Sequence, residues 1–231
     1  MEDARFEGNP MALSIDIISD VVCPWCFIGK RRIEAALELY RERSPGAAEP
    51  KVTWHPFQLN PDMPAAGIDR DAYVKGKFGA GRAGQVYGRV TAVGREAGIP
   101  FDFNKVTRQP NTLAAHSLIA FAIDSGRQDA VVEALFRAFF LEGRDLTSAD
   151  TLAEVAAGAG LDATDVKAFL ASEKARAHIE AEDRQARKIG VEGVPFFIFN
   201  KRIAVSGAQE PEVLLDAMLE AEKEHAPSAA Q

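Results

Sequence analysis

The two cysteines of the chain, Cys23 and Cys26, stand two residues apart in the stretch SDVVCPWCFIGKRR (residues 19–32). In a protein of 231 residues with no other cysteine, such a pair has three candidate uses: a structural disulfide, half of a zinc site, or redox chemistry. A disulfide that closes so small a ring adds little loop entropy, and a chain of this length buries a core without such a link. A structural disulfide is therefore disfavoured.

A zinc site would need two ligands besides the cysteines, from histidines or carboxylates. The histidines of the chain are His55, His116, His178 and His225. No two of them have the spacing of three to five residues that is usual for zinc ligands. We therefore expect no metal and interpret the pair as a redox site.

The residues before and after the pair predict the elements that hold it. The stretch LSIDIIS (residues 13–19) is apolar and β-branched, which is typical of a buried strand. A helix should follow, because apolar side chains recur there at helical spacing: Cys26, Ile33, Ala36, Leu37 and Tyr40. The pair therefore stands at a junction between a strand and a helix.

Cys23 should occupy the N-cap position of that helix, because Pro24 suits the first helical position. Unpaired backbone N–H groups and the positive end of the helix dipole would then favour the thiolate form of Cys23. Cys26 lies one turn later on the same side, so it is the expected buried, resolving thiol. Trp25 should be exposed and is a candidate contact surface. A ring folded over the helix end is the alternative.

A second signal lies far downstream, in GVEGVPFFIFNKRIAVSGAQ (residues 190–209). The apolar runs FFIF and RIAV flank Asn200 and Lys201, which predicts a β-hairpin with a two-residue turn. Val194 and Pro195 open its first strand, where a proline marks an edge, a strand start or a cis bond. A cis bond facing the cysteines would expose the backbone of Val194 to an extended substrate. An ordinary trans proline at a strand start is the alternative.

These elements are the two halves of a thioredoxin fold. We predict an α/β protein in which a strand–helix–strand half (residues 12–67) and a hairpin–helix half (residues 190–225) are separated by a large, all-helical inserted domain (residues 68–189). The second strand is KVTWHPFQL, and the closing helix follows Pro211.

Four motifs carry a resemblance to a known family: the cysteine segment, PFQLNP (residues 56–61), NTLAAH (residues 111–116) and the hairpin segment. The chain resembles the DsbA-like thioredoxin superfamily, most closely its FrnE-like branch of cytosolic thiol–disulfide oxidoreductases. The resemblance implies a redox-active Cys23–Cys26 disulfide, no bound cofactor, and protein or small-molecule thiols and disulfides as partners. It also places His116 in a helix over the cysteines, where it would stabilise a thiolate or shuttle a proton. A packed or capping histidine is the alternative.

The same superfamily suggests a second function. It includes kappa-class glutathione transferases and glutathione-dependent 2-hydroxychromene-2-carboxylate isomerases, in which a serine typically replaces the first cysteine. Cys23 departs from that pattern. Residues 206–209 lie between the hairpin and the helix that follows Pro211, so free backbone N–H groups should point towards the cleft. In those relatives the corresponding turn holds the γ-glutamyl carboxylate, so the resemblance makes Ser206, Gln209 and the Val194 backbone candidate contacts of glutathione as a cosubstrate. A helix cap that touches no ligand is the alternative.

The charge and the N-terminus suggest where the protein works. With 27 Lys and Arg against 34 Asp and Glu, the net charge of −7 argues against nucleic acid or an anionic membrane as the main partner. No apolar run approaches the ~18 residues of a transmembrane helix. The acidic start MEDARFEGNP lacks the basic residues and apolar stretch of a signal peptide. Met11 is an alternative start, because the pattern after it is self-sufficient, and a leader removed from this sequence is the other alternative. We therefore expect a cytoplasmic protein.

One further motif invites a different interpretation. Residues 79–84, GAGRAG, match the dinucleotide-binding pattern GxGxxG in form. That pattern requires a hydrophobic strand just before it, and DAYVKGKF is not one. We therefore predict a loop between two helices.

Overall fold

The computed structural model describes residues 12–79 and 82–223. Its strands are β1 (Ser14–Ser19), β2 (Lys51–Pro56), β3 (Ile68–Asp69), β4 (Arg108–Gln109), β5 (Phe196–Phe199) and β6 (Ile203–Ser206). Its helices are α1 (Pro24–Arg43), α2 (Arg70–Phe78), α3 (Ala83–Glu96), α4 (Leu113–Phe121), α5 (Gln128–Phe140), α6 (Ala149–Gly158), α7 (Ala163–Leu170), α8 (Glu173–Lys188) and α9 (Pro211–Lys223), with a 3₁₀ turn at Phe103–Lys105. His225, Met11, Ala80 and Gly81 lie outside the described residues.

The main sheet joins the two ends of the chain. Its strand order is β2-β1-β5-β6, with β1 parallel to β2 and antiparallel to β5. Ile17 at the centre of β1 lies between Trp54 of β2 and Phe197 of β5, and all three are buried. A parallel pair needs a crossover, which α1 supplies here. The predicted thioredoxin fold is confirmed.

The core lies between this sheet and the helices that cover it. In β1 the β-branched residues Ile15 and Ile17 are fully buried. They belong to the same apolar cluster as Phe27 of α1 and Met218 of α9. The ring of Phe27 stacks on Phe136 of α5 at 5.0 Å between centroids. The inserted helices therefore share one continuous core with the thioredoxin part.

The insertion is helical except for a short ribbon that the sequence does not predict. Strands β3 and β4 pair antiparallel, with Ile68 opposite Gln109 and Asp69 opposite Arg108. Each strand has only two residues, too few to show the alternation of apolar and polar residues that identifies a strand from sequence. The loop predicted at residues 79–84 lies partly outside the described residues, at Ala80 and Gly81, and its last two residues already belong to α3.

The hairpin also differs from the prediction by one residue. Phe199 lies opposite Ile203, so the loop has three residues and β6 begins after Arg202. Asn200 and Lys201 have positive φ angles of 48° and 58°. The Asn200 side chain accepts the Ser14 N–H at 3.0 Å and donates to the carbonyl of Ala221 at 3.0 Å. These bonds fasten the loop to β1 and α9.

Candidate active site

The cysteine pair lies at the start of α1. Cys23 is the N-cap residue, Pro24 is the first residue of the helix, and both cysteines are free thiols. The Cys23 N–H donates to the carbonyl of Asp20 at 3.0 Å, and the Cys26 N–H donates to the carbonyl of Cys23 at 3.0 Å. The Cys23 sulfur thus lies at the tip of the helix, and the Cys26 sulfur lies one turn deeper.

The environment of Cys26 opposes its ionisation. Its side chain is 1% exposed. Burial raises the pKa of the Cys26 thiol well above its usual value, and the neighbouring Cys23 sulfur raises this pKa further. The nearby Ser19 hydroxyl and Asp20 backbone act in the opposite direction and lower this pKa. Cys26 is therefore a thiol at neutral pH, and its proton must be removed before it can act as a nucleophile.

The segment before β5 meets the cysteines from the other side. The Cys23 Sγ lies 3.6 Å from the carbonyl oxygen of Val194, and the Val194–Pro195 peptide bond is cis. Pro195 packs against α1 at Gly29, where an added Cβ would come within 2.8 Å of the Pro195 Cγ and 3.3 Å of the Phe197 ring. Gly29 permits this close approach. Its role escaped the sequence analysis, because a glycine inside a helix does not by itself show what it contacts.

Trp25 is half-buried, so the prediction of an exposed side chain was wrong and the alternative, a ring folded over the helix end, fits better. Its ring packs against the edge of the main apolar core. The prediction failed because counting along a helix places a side chain on a face without showing what covers that face.

The turn after β6 uses N–H groups that the sequence predicted to be free. The Gly207 N–H donates to the carbonyl of Pro195 at 2.8 Å, and the Gln209 N–H donates to the carbonyl of Gly207 at 2.9 Å. The Gln209 side chain donates to the carbonyl of Ser206 at 2.8 Å. Ser206 and Gln209 are both exposed beside the Pro195 segment. The expectation of free N–H groups at Gly207 and Gln209 was therefore wrong. The turn forms hydrogen bonds within itself and to Pro195, the residue just before β5.

His116 lies on α4 with 3% of its surface exposed. Its Nε2 is 3.3 Å from the Oδ1 of Asp20, which is completely buried between β1 and the cysteines. The other oxygen of Asp20 accepts the Leu59 N–H at 2.8 Å. His116 thus faces the residue that bonds to the Cys23 N–H. Asp20 was not singled out from the sequence, although an ionisable residue directly after an apolar strand is a usable signal.

A buried lysine ties α1 to the insertion. Lys30 is 2% exposed and contacts Glu34 on its own helix and Asp129 of α5, the latter at 2.9 Å. Burial acts to lower the pKa of Lys30, but the carboxylates of Asp129 and Glu34 outweigh it, so the pKa is raised. Asp129 also accepts the indole N–H of Trp54 in β2 at 3.1 Å. The helix that carries the cysteines is thereby fixed against α5 and β2.

Two kinds of site are not seen in residues 12–79 and 82–223. In these residues no helix has the length and apolar character needed to span a membrane. Among the same residues, no group of three or more His, Cys, Asp and Glu side chains is arranged to hold a metal ion.

Comparisons with known proteins agree with this geometry. The family model of the DSBA-like thioredoxin domain matches residues 14–219. The solved structure of a probable DsbA oxidoreductase from Streptomyces coelicolor is 31% identical and superimposes with a TM-score of 0.82. The match covers 95% of this chain and 94% of that one.

Two more distant structures share the fold. A 2-hydroxychromene-2-carboxylate isomerase is 16% identical with a TM-score of 0.66, covering 94% of this chain and 100% of that one. The cytosolic disulfide reductase DsbM from Pseudomonas aeruginosa, solved with glutathione, is 19% identical with a TM-score of 0.57, covering 92% and 96%.

Proposed function

Because this chain belongs to the DSBA-like thioredoxin domain family, we propose that it is a dithiol–disulfide oxidoreductase that works through Cys23 and Cys26. One observation carries the proposal: Cys23 caps α1 with its sulfur 3.6 Å from the Val194 carbonyl, while Cys26 is buried one turn behind it. This arrangement places one sulfur at the tip of the helix, where Cys23 is 6% exposed, and a second, more deeply buried sulfur behind it that can close a disulfide.

The first step of the proposed reaction takes place at Cys23. The Cys23 thiolate attacks one sulfur of a substrate disulfide and forms a mixed disulfide. The second substrate sulfur leaves as a thiolate and takes a proton from solvent. The backbone of Val194, beside the Cys23 sulfur, would pair with the extended substrate and hold its disulfide in line. The half-buried Trp25 would form the adjoining contact surface.

The second step takes place at Cys26. After losing its proton, the Cys26 sulfur attacks the Cys23 sulfur, and the bond between Cys23 and the substrate breaks. The enzyme dithiol is oxidised to the Cys23–Cys26 disulfide, and the substrate disulfide is reduced to two thiols. The same steps in reverse would oxidise a substrate dithiol.

We extend the proposal to the FrnE-like branch and to the cytoplasm. The motifs around the cysteines and the hairpin support the branch. The fold shared with a cytosolic disulfide reductase supports the compartment. Protein and small-molecule disulfides are the proposed substrates, and no bound cofactor enters the reaction.

Glutathione-dependent transfer or isomerisation is the second candidate function. The fold shared with the isomerase favours it, and the DsbM structure with glutathione makes glutathione a candidate cosubstrate in either case. The exposed Ser206 and Gln209 are the residues proposed to hold the γ-glutamyl carboxylate, as the resemblance implies. The cysteine at position 23 and the internal hydrogen bond of the Gln209 side chain weigh against it.

Paired assays on one preparation separate the two functions. Insulin reduction with dithiothreitol should be accelerated by the native protein and lost in Cys23→Ser, while conjugation of glutathione to an electrophilic aromatic chloride stays at background. Conjugation without insulin reduction would favour the transferase. Calorimetry on Cys23→Ser, which cannot form an adduct at that site, measures glutathione binding, and Ser206→Ala or Gln209→Ala should weaken any binding that uses the turn.

A further inference from the structure

An open cavity of about 300 Å³ lies between the loop after β2, the start of α4 and the helix α8, with Gln58, Asn111 and Glu180 on its wall. Gln58 is 4% exposed, and its side-chain Nε2 is buried without a hydrogen-bond partner among the described residues. Buried polar atoms are normally paired. The amide nitrogen of a glutamine carries two N–H donors, so this atom requires an acceptor oxygen.

The backbone of Gln58 is held by an ion pair on α8. Its N–H donates to the Oδ1 of Asp183 at 2.8 Å, and its carbonyl accepts from the Arg187 guanidinium at 2.6 Å. The two side chains pair with each other at 2.9 Å. Asn111 fastens the same loop to α4 by donating to the carbonyl of Met63 at 2.6 Å. The loop is thus fixed, while the amide of Gln58 can turn towards a ligand in the cavity, because the terminal torsion of a glutamine is broad.

The loop that forms this wall adjoins the cysteine site. Leu59, the residue after Gln58, donates its N–H to the Oδ2 of Asp20 at 2.8 Å, and the Asp20 carbonyl accepts the Cys23 N–H at 3.0 Å. Leu59 and Val194 also pack against the same small apolar cluster. The carbonyl of Val194 is the group that lies beside the Cys23 sulfur. The cavity wall is therefore bonded to the segment before Cys23 and packs beside the segment where we place the substrate backbone.

The charges at the cavity occur in pairs of opposite sign. Arg184 lies 3.9 Å from Glu180, and Arg187 lies 2.9 Å from Asp183. These four residues carry no net charge, which suits a neutral polar ligand better than an ionic one. A main-chain peptide group is neutral, and its carbonyl oxygen is the acceptor that the Gln58 amide lacks.

We propose that this cavity is a second binding site for the substrate, in which the side-chain amide of Gln58 donates to a main-chain carbonyl of a polypeptide segment that flanks the reacting disulfide. This inference rests on the proposed dithiol reaction and adds the class of substrate that it favours. A disulfide between two polypeptides reaches the cavity with its flanking residues, whereas a disulfide between two single amino acids does not.

Two disulfides of different length test this binding site. Both are symmetrical dimers linked through cysteine: acetyl-cysteine amide, and an acetylated, amidated peptide with alanine and serine residues on both sides of the cysteine. The reduced protein is mixed with each, quenched with acid at intervals and measured by intact mass, which gives the rate constant for its oxidation. The native protein should react faster with the longer disulfide. In Gln58→Met, which removes the N–H donors, the ratio of the two rate constants should fall about fivefold, the effect of one neutral hydrogen bond.

Gln185→Met is the matched control. Gln185 is an exposed residue of α8 outside the wall of the cavity, so the same substitution there should keep the native ratio. Circular dichroism checks that each variant is folded. If Gln58→Met does not fold, Gln58→Ala decides the question in the same experiment.

The binding site is overturned if the native protein reacts equally fast with the two disulfides, which is the result expected when a water alone pairs with Gln58. It is also overturned if a folded Gln58 variant keeps the native ratio, or if Gln185→Met lowers the ratio equally. Failure of the proposed function has a different signature: the native protein would form no Cys23–Cys26 disulfide with either substrate.

Discussion

The sulfur of Cys23 lies 3.6 Å from the carbonyl oxygen of Val194, a residue 171 positions further along the chain. The pairing of β1 with β5 makes this contact, because it aligns the end of the first strand with the start of the fifth. The sheet and its apolar core thus bring the two ends of the sequence together at the proposed redox site. The geometry of the site depends on the sheet and on the packing of α1 against the Pro195 segment.

Selective alkylation tests the roles of the cysteines. The reduced protein treated with substoichiometric iodoacetamide at neutral pH should be labelled at Cys23, because Cys26 is 1% exposed and its raised pKa keeps it a thiol. Peptide mass spectrometry identifies the labelled residue. Preferential labelling of Cys26 would reverse the assigned roles.

A methyl group at Gly29 should disturb the site. In Gly29→Ala the new Cβ would come within 2.8 Å of the Pro195 Cγ, so α1 and the Pro195 segment must separate. We expect a loss of about 1–3 kcal/mol in the free energy of unfolding and slower insulin reduction.

The control for this substitution is Gly88→Ala. Gly88 lies inside α3, and an added Cβ there meets nothing within 4 Å. Helix propensity should then stabilise the variant by up to ~1 kcal/mol. Equal behaviour of the two variants would show that the contact between Gly29 and Pro195 has no role.

The burial of Cys26 should make stability depend on pH. Its pKa is raised in the folded protein, so the thiol is favoured by folding. This contribution is fully present below the unfolded pKa of about 8.5 and is lost as the pH rises from there towards the folded pKa, by about 1.4 kcal/mol per pH unit. Urea unfolding of the reduced protein between pH 7.5 and 10 measures it. Cys26→Ser should not show the part of this loss of unfolding free energy that comes from ionisation of Cys26. Identical pH profiles for the two proteins would contradict the prediction.

Stability should respond differently to substitution of Lys30 and to substitution of its partner carboxylates, Glu34 and Asp129. Lys30 is 2% exposed, whereas its partners Glu34 and Asp129 are 40% and 59% exposed. Replacing both carboxylates by amides leaves the buried ammonium group with only the more distant Glu133, at 3.8 Å, and should cost about 3 kcal/mol of unfolding free energy. Lys30→Met leaves carboxylates that water can solvate, so it should cost less. Chemical denaturation of both variants decides the order, and the reverse order would show that the carboxylates do not stabilise the ammonium group.

Local patterns predicted much of the fold. The apolar, β-branched stretch before Cys23, the proline after it, and the hairpin after Pro195 each obey short-range rules. The structure places the first strand and the hairpin in one sheet, and Pro24 begins α1. The ribbon of β3 and β4 could not be predicted because each strand has two residues.

Long-range contacts account for what the sequence did not predict at the site. Gly29 contributes by allowing Pro195 to pack closely against α1. Lys30 contributes through its bond to Asp129, which lies 99 positions away. The Gln209 side chain bonds within its own turn, a local contact that residue type alone does not predict. Trp25 is half-buried because its ring packs against core residues that no periodicity identifies. Asp20 and His116 meet for the same reason.

The most direct test of the dithiol reaction follows the cysteines themselves. The reduced protein mixed with one equivalent of glutathione disulfide is quenched with acid at intervals and measured by intact mass and peptide mapping. We predict a transient glutathione adduct on Cys23 that converts to the Cys23–Cys26 disulfide, and an adduct that persists in Cys26→Ser. A stable adduct on Cys23 of the native protein, with Cys26 remaining a free thiol, would contradict the account.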